Sequence, residues 1–133
     1  MRTAILRGVA IDLIVSAVVD QRLVSLAQRS FYDELLRSGV NIHLFQRFLL
    51  HAKNVSIDED LAIIGSSNVD LRSFQLNEEV SLLFLDGGDV RAITTVQNDY
   101  IANSEQLILE TWRARGSFVK FQENMARLVS SLL

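Results

Sequence analysis

The chain has 133 residues, 49% of them hydrophobic and 22% charged, which suits one folded domain with a real core and excludes an intrinsically disordered chain. Its formal charge of −3 argues against a broad basic surface for nucleic acid, leaving room only for a small basic pocket. The lack of cysteine excludes disulfides, thiolate nucleophiles and cysteine zinc sites, and two separated histidines, His43 and His51, argue against a histidine-rich metal centre.

In chain order, residues 1–7 read as the tail of a helix running into Gly8, a start that suggests a chain cut from something longer. Val9 to Val15 is a strand candidate, apolar except for Asp12 and therefore expected to be buried on both faces. The apolar stretch from Val9 to Val19 is interrupted by Asp12 and Ser16 and falls short of the roughly 20 residues of a membrane span. No signal-peptide pattern precedes it. From Gln21 to Ser38, Leu23, Leu26, Ala27, Phe31, Leu35 and Leu36 recur at helical spacing, with Gly39 as the stop. Val40 to Phe45 alternates as a strand, completing a strand–helix–strand crossover of the parallel kind, with His43 on the wetter face.

Two short apolar runs follow, separated by Asp58-Glu59-Asp60, and read as a β-hairpin from His51 to Asn68. Side chains alternate along a strand, so His51 and Lys53 share a face roughly 6.6 Å apart. A two-residue loop at Glu59-Asp60 would set Lys53 opposite Ser66 and His51 opposite Asn68, although a one-residue slip would scatter that cluster. An imidazole, an ammonium, a hydroxyl and a carboxamide on one face suit an anionic, tetrahedral group such as a phosphodiester. Asp58 falls on the opposite face by parity, which leaves open whether it is a turn residue or part of the site.

Asp70 to Ser73 reads as a polar turn or short helix, and Asn77-Glu78-Glu79 leads into a strand from Val80 to Leu85. Asp86 to Asp89 is a turn and helix start. Val90 to Ala102 is amphipathic, with Val90, Ile93, Val96, Tyr100 and Ile101 inward. A second helical piece runs from about Ser104 to Arg115, with Trp112 in the core. Ser117 caps a last helix to about Leu132, whose inward stripe is Phe118, Phe121, Met125, Leu128 and Val129.

His51, Lys53, Asp58, Gly65, Ser66 and Asn68 meet, at every position, the pattern His-x-Lys, four residues, Asp, six residues, Gly-Ser-x-Asn. This resembles the HKD motif of the phospholipase D superfamily, and the similarity extends over essentially the whole chain to the carboxy-terminal half of bacterial cardiolipin synthases. Residues 30–40, 65–74, 76–80 and 126–133 carry it beyond the motif. The chain departs from that pattern in lacking proline near Val15 to Val19 and before Phe48, in having Asn54 where a hydrophobic residue or threonine is usual, and in having Ser131 where proline is common.

The resemblance implies an α/β fold, a phospholipase D-like sandwich of a mixed, largely parallel sheet flanked by helices on both faces, with residues 1–133 as a single domain. It implies a phosphatidyltransferase or phosphodiesterase working through a covalent phosphohistidine, without metal or other cofactor. His51 would be nucleophile or acid/base partner, and Lys53 would bind the non-bridging oxygens. Ser66 and Asn68 would add hydrogen bonds to phosphate, Glu79 would orient the histidine, and Asp58 is named by the motif.

In the superfamily two HKD motifs make one active site, and this chain has one. The missing half would belong either to the same longer chain or to the mate in a homodimeric phosphodiesterase or nuclease. A third reading is an inactive half-domain. The expected partner is a phosphatidylglycerol-like phospholipid rather than nucleic acid. The expected setting is the cytoplasm-facing side of a bacterial inner membrane for the full-length protein, with this segment soluble alone.

Overall fold

The computed structural model describes residues 1–66 and 80–129, and the chain divides into two compact units, residues 1–50 with 103–133, and residues 51–102. The first unit contains α1 (Arg2–Leu6), β1 (Asp12–Ser16), α2 (Arg22–Arg29), α3 (Tyr32–Ser38) and β2 (Asn41–Phe45). The second contains β3 (Asn54–Ile57), β4 (Leu61–Gly65), β5 (Ser81–Phe84) and α4 (Gly87–Ala102). The chain then returns to the first unit with β6 (Ser104–Gln106), α5 (Leu109–Arg113) and α6 (Ser117–Val129).

In the first unit β1 and β2 pair in parallel, Ile14 opposite His43, as the crossover through α2 and α3 requires. Gly39 ends α3 at φ 98°, and the amides of Gly39 and Val40 close back on the carbonyls of Leu36 and Leu35. That is the left-handed cap a glycine permits. The stretch read as one helix from Gln21 to Ser38 is two. The Ser30 hydroxyl donates to the Ala27 carbonyl at 2.6 Å, competing with the helical ladder where α2 stops.

The core of this unit is Val15, Tyr32, Val40, Ile42 and Trp112. Burial raises the Tyr32 phenol well above its usual range, a rise that nearby Glu123 reinforces and Arg29 opposes, so Tyr32 packs on Trp112 as a neutral ring.

Three further expectations need correction here. The first strand begins at Asp12 rather than Val9, and Val9 is exposed. His43 is buried, not on the wetter face, because the Asp12 carboxylate meets its Nε2 at 2.8 Å and β6 covers that edge of β2. The piece from Ser104 to Arg115 is a helix only over Leu109–Arg113. Ser104–Gln106 is a strand instead, antiparallel to β2, because three residues paired to an open edge satisfy their backbone groups there.

In the second unit β3, β4 and β5 form an antiparallel sheet with α4 packed against β3 and β4. Gln97 of α4 fixes this packing. Its amide nitrogen donates to Asn54 Oδ1 at 2.8 Å, and its oxygen accepts from the Ser56 hydroxyl at 2.5 Å. Val90 and Ala62 are fully buried, whereas Val96, read as inward, is exposed. The protein is thus α/β with mixed sheets flanked by helices. "Largely parallel" is corrected: among the described pairings only β1–β2 is parallel.

Candidate active site

The hairpin places the motif, and its register differs from the one expected. Asn54 lies opposite Ile64 and Ile57 opposite Leu61, so the loop is the full tripeptide Asp58-Glu59-Asp60. Asp58 adopts φ 52°, a left-handed conformation that aspartate tolerates better than most side chains, and the Asp60 amide reaches back to the Ile57 carbonyl. The ladder continues past β3, with the Gly65 amide donating to the Lys53 carbonyl at 2.9 Å. Lys53 therefore faces Gly65, and Ser66 falls one step out of the expected row.

Directly opposite residues share a sheet face, so Lys53, Gly65 and Ser81 form one row across three strands. A Cβ at position 65 would collide with the Ser81 hydroxyl and stand 3.2 Å from Ser81 Cβ and 3.1 Å from the Val80 carbonyl. Glycine is thus needed for β4 and β5 to close beside the lysine. Neither Ser81 nor this use of Gly65 was visible in the sequence, since each depends on which residue of β5 pairs with β4.

His51 and Lys53 are brought together. Lys53 Nζ lies 2.9 Å from His51 Nε2, 3.2 Å from Nδ1 and 3.3 Å from the His51 carbonyl oxygen. The ammonium donates to that carbonyl and stands against both ring nitrogens, whose donor and acceptor roles depend on the tautomer. The imidazole is exposed and the lysine half-buried, so an incoming anion can reach both.

Ser66 is committed locally: its hydroxyl accepts the Val80 amide at 3.1 Å, while its own amide donates to the Val80 carbonyl at 3.0 Å. Asp58 stands at the far end of β3, about 16 Å along the strand from Lys53, exposed in the turn. Asn68 and Glu79 lie outside the described residues. Among the described residues no group of three histidine, aspartate or glutamate side chains is arranged to hold a metal.

The face that carries Lys53 is largely apolar among the described residues. Val55 and Ile57 of β3 and Leu83 of β5 lie on it, and all three are about half exposed or more. The opposite face, with Asn54, Ser56 and Ala62, is the one α4 covers.

Residues 1–103 match the family model described as cardiolipin synthase, PLD-like domain. Cardiolipin synthase A of Serratia proteamaculans is 40% identical over 131 residues, and that of Proteus mirabilis is 39% identical over 131 residues. Each alignment takes in 98% of this chain and 27% of the relative, so the chain spans about a quarter of the length of the proteins it matches. In fold it is similar to Nuc of Salmonella typhimurium, a phospholipase D family member. The TM-score is 0.66 at 17% identity, covering 80% of this chain and 69% of that one. The chain belongs to the phospholipase D-like domain family of the cardiolipin synthases.

Proposed function

We propose that this chain supplies one HKD half-site of a phosphatidyltransferase of the cardiolipin synthase kind, acting on a phosphatidylglycerol-like diester through a phosphohistidine. The observation that carries the reading is the apposition of Lys53 Nζ to both ring nitrogens of His51 on an exposed edge. In the free site the ammonium sits where it blocks the imidazole. A phosphodiester arriving there would draw Lys53 onto its non-bridging oxygens, charge-assisted bonds about twice as strong as neutral ones, and release a ring nitrogen to attack.

The ring nitrogen of His51 then bonds to phosphorus as the ester P–O bond to the leaving alcohol breaks. That oxygen takes its proton from a second motif's histidine. An acceptor hydroxyl, deprotonated by the same group, attacks phosphorus and breaks the P–N bond, returning His51 to its free form. Lys53 offsets the charge that accumulates on the phosphoryl oxygens. Glu79 would orient the imidazole and hold its tautomer, and Asn68 and Ser66 would bind phosphate. Asp58 is assigned to the turn that sets the hairpin register.

The exposure of Val55, Ile57 and Leu83 supports the need for a second half, because a partner packed on them would sit beside Lys53. In this reading the partner half belongs to the same longer protein, working at the cytoplasmic face of a bacterial inner membrane. The homodimeric alternative uses the same face.

The test is turnover of a chromogenic phosphodiester together with solution mass. A monomer without turnover fits a half-site. A dimer whose turnover vanishes in His51→Ala fits self-completion, and an active monomer refutes the two-motif mechanism. Turnover of single-stranded DNA with no action on phosphatidylglycerol refutes the lipid substrate.

A further inference from the structure

The last helix faces the wrong way for a core element. α6 carries Phe118, Phe121, Met125 and Leu128 at three- and four-residue spacing, one continuous stripe down its length. The stripe points to water, with Phe118 71% exposed, Phe121 61%, Met125 45% and Leu128 71%. What α6 buries instead is Glu123 and Ala126, on the side where it packs against α2. The sequence marks the stripe as core, and the fold leaves it outside.

The flank of the stripe is cationic. Along α6, Asn124 neighbours both Phe121 and Leu128, and Asn124 also lines a cavity of about 460 Å³ in the first unit. Arg29, Arg113, Arg115, Lys120 and Arg127 line that cavity against three carboxylates. This excess of positive charge stands out in a chain whose net charge is −3.

Internal pairing organises part of it. Glu123 receives Arg115 at 2.6 and 3.0 Å and Arg29 at 3.4 Å, and Asp33 receives Arg113 at 2.7 and 3.2 Å. Lys120 donates to the Arg113 carbonyl at 2.7 Å, and its charge also acts on the nearby Asp33 carboxylate. An apolar helical stripe rimmed by long cationic side chains is the chemistry of a helix lying in a membrane interface, its rings at the acyl boundary and its cations at the headgroups.

We propose that α6 and its cationic flank form a docking surface for an anionic phospholipid membrane. The choice of lipid over protein rests on the charge of the flank and on the phospholipid reading of the His51 site. The surface belongs to the first compact unit, and His51 and Lys53 belong to the second. It would hold the protein against the phase that carries its substrate. No helix among the described residues is long and apolar enough to cross a membrane, so α6 would lie on the surface rather than span it.

Co-sedimentation of the 133-residue chain with phosphatidylcholine vesicles, with and without phosphatidylglycerol, tests this directly. The chain should bind the anionic vesicles more tightly, and the preference should fall as salt rises from about 0.1 M to about 1 M, where screening shortens to about 3 Å. The double variant Phe118→Ser/Phe121→Ser replaces exposed rings, so it should keep its circular dichroism while losing at least about tenfold in binding. Lys120→Gln should weaken binding to anionic vesicles by about fivefold and leave neutral vesicles unchanged.

Equal binding by the folded serine variant overturns the proposal, as does indifference to phosphatidylglycerol. Self-association abolished by the serine variant, with no vesicle binding, also overturns it and assigns the stripe to a second copy. Vesicle binding needs no turnover, so the two readings fail separately. Binding by an inactive chain supports the surface, whereas turnover of a soluble short-chain diester without vesicle binding removes it.

Discussion

Gly65→Ala tests how the motif is held. The added methyl meets three atoms of β5 and its entry: the Ser81 hydroxyl in outright collision, Ser81 Cβ at 3.2 Å and the Val80 carbonyl at 3.1 Å. Rotating Ser81 about χ1 relieves the first contact at small cost. The other two belong to the backbone or lie one bond from it, so the strands must part by a few tenths of an ångström. That movement strains the pair of bonds between Ser66 and Val80, at 3.0 and 3.1 Å, each worth about 1 kcal/mol.

Overpacking of this kind costs about 1–3 kcal/mol, and the smaller entropy of an unfolded alanine chain returns about 0.4–1 kcal/mol. The expected net loss is about 1–2 kcal/mol. Urea unfolding followed by circular dichroism measures it, and amide exchange at Gly65 and Ser66 locates it. Adding Ser81→Gly removes two of the three obstructing atoms and should recover about 1 kcal/mol as coupling in a double-mutant cycle, with Ser81→Ala recovering less. Because the Gly65 amide bonds the Lys53 carbonyl, turnover in a completed enzyme should fall and recover in parallel. Stability of Gly65→Ala within about 0.5 kcal/mol of the parent, or no recovery with Ser81→Gly, refutes the steric reasoning.

Asp58→Gly keeps the positive φ and should change stability little, whereas Asp58→Val should cost about 1–2 kcal/mol by thermal unfolding. An equal loss of turnover in a folded Asp58→Gly enzyme would return the residue to the site. The Arg113 hydrogen bond holds the Asp33 carboxyl below its ordinary range. Its contribution is therefore complete above about pH 4 and lost as pH falls through the lowered value. The pair is exposed, so the contribution is small, and Asp33→Asn should remove that part of the acid dependence measured by urea unfolding. Glu123→Gln leaves Arg115 and Arg29 facing a neutral amide and should destabilise by about 2–3 kcal/mol in the same assay; a near-neutral result would mean that Arg115, stacked 3.2 Å over Trp112, is held by the ring alone.

The elements legible in the sequence are those whose local chemistry and tertiary setting agree. Gly39 stops a helix because its φ allows it, and the hairpin stands where two apolar runs meet an acidic break. The crossover from β1 to β2 is parallel for the same topological reason that suggested it. Tertiary pairing decided the rest. Ser104–Gln106 has the composition to continue a helix, yet the open edge of β2 takes it as a strand. His43 alternates as a surface residue, yet Asp12 reaches it and makes burial affordable.

The register of the motif hairpin is the sharpest case, because alternation had no information to give. Leu61, Ala62, Ile63 and Ile64 are apolar on both faces of β4, so a slip by one residue costs the hydrophobic pattern nothing. The turn decides instead, and Asp58 decides the turn by accepting φ 52°. That gives the motif aspartate a physical task without bringing it near His51 and Lys53. It fixes a three-residue loop, which sets Lys53 against Gly65 rather than Ser66. Glycine opposite the lysine lets the Ser81 side chain lie where a Cβ at position 65 would stand, so that β4 and β5 close beside Lys53. Spacing within the motif is thus a record of one turn and one close approach, and the placing of Lys53 opposite Gly65 follows from the first.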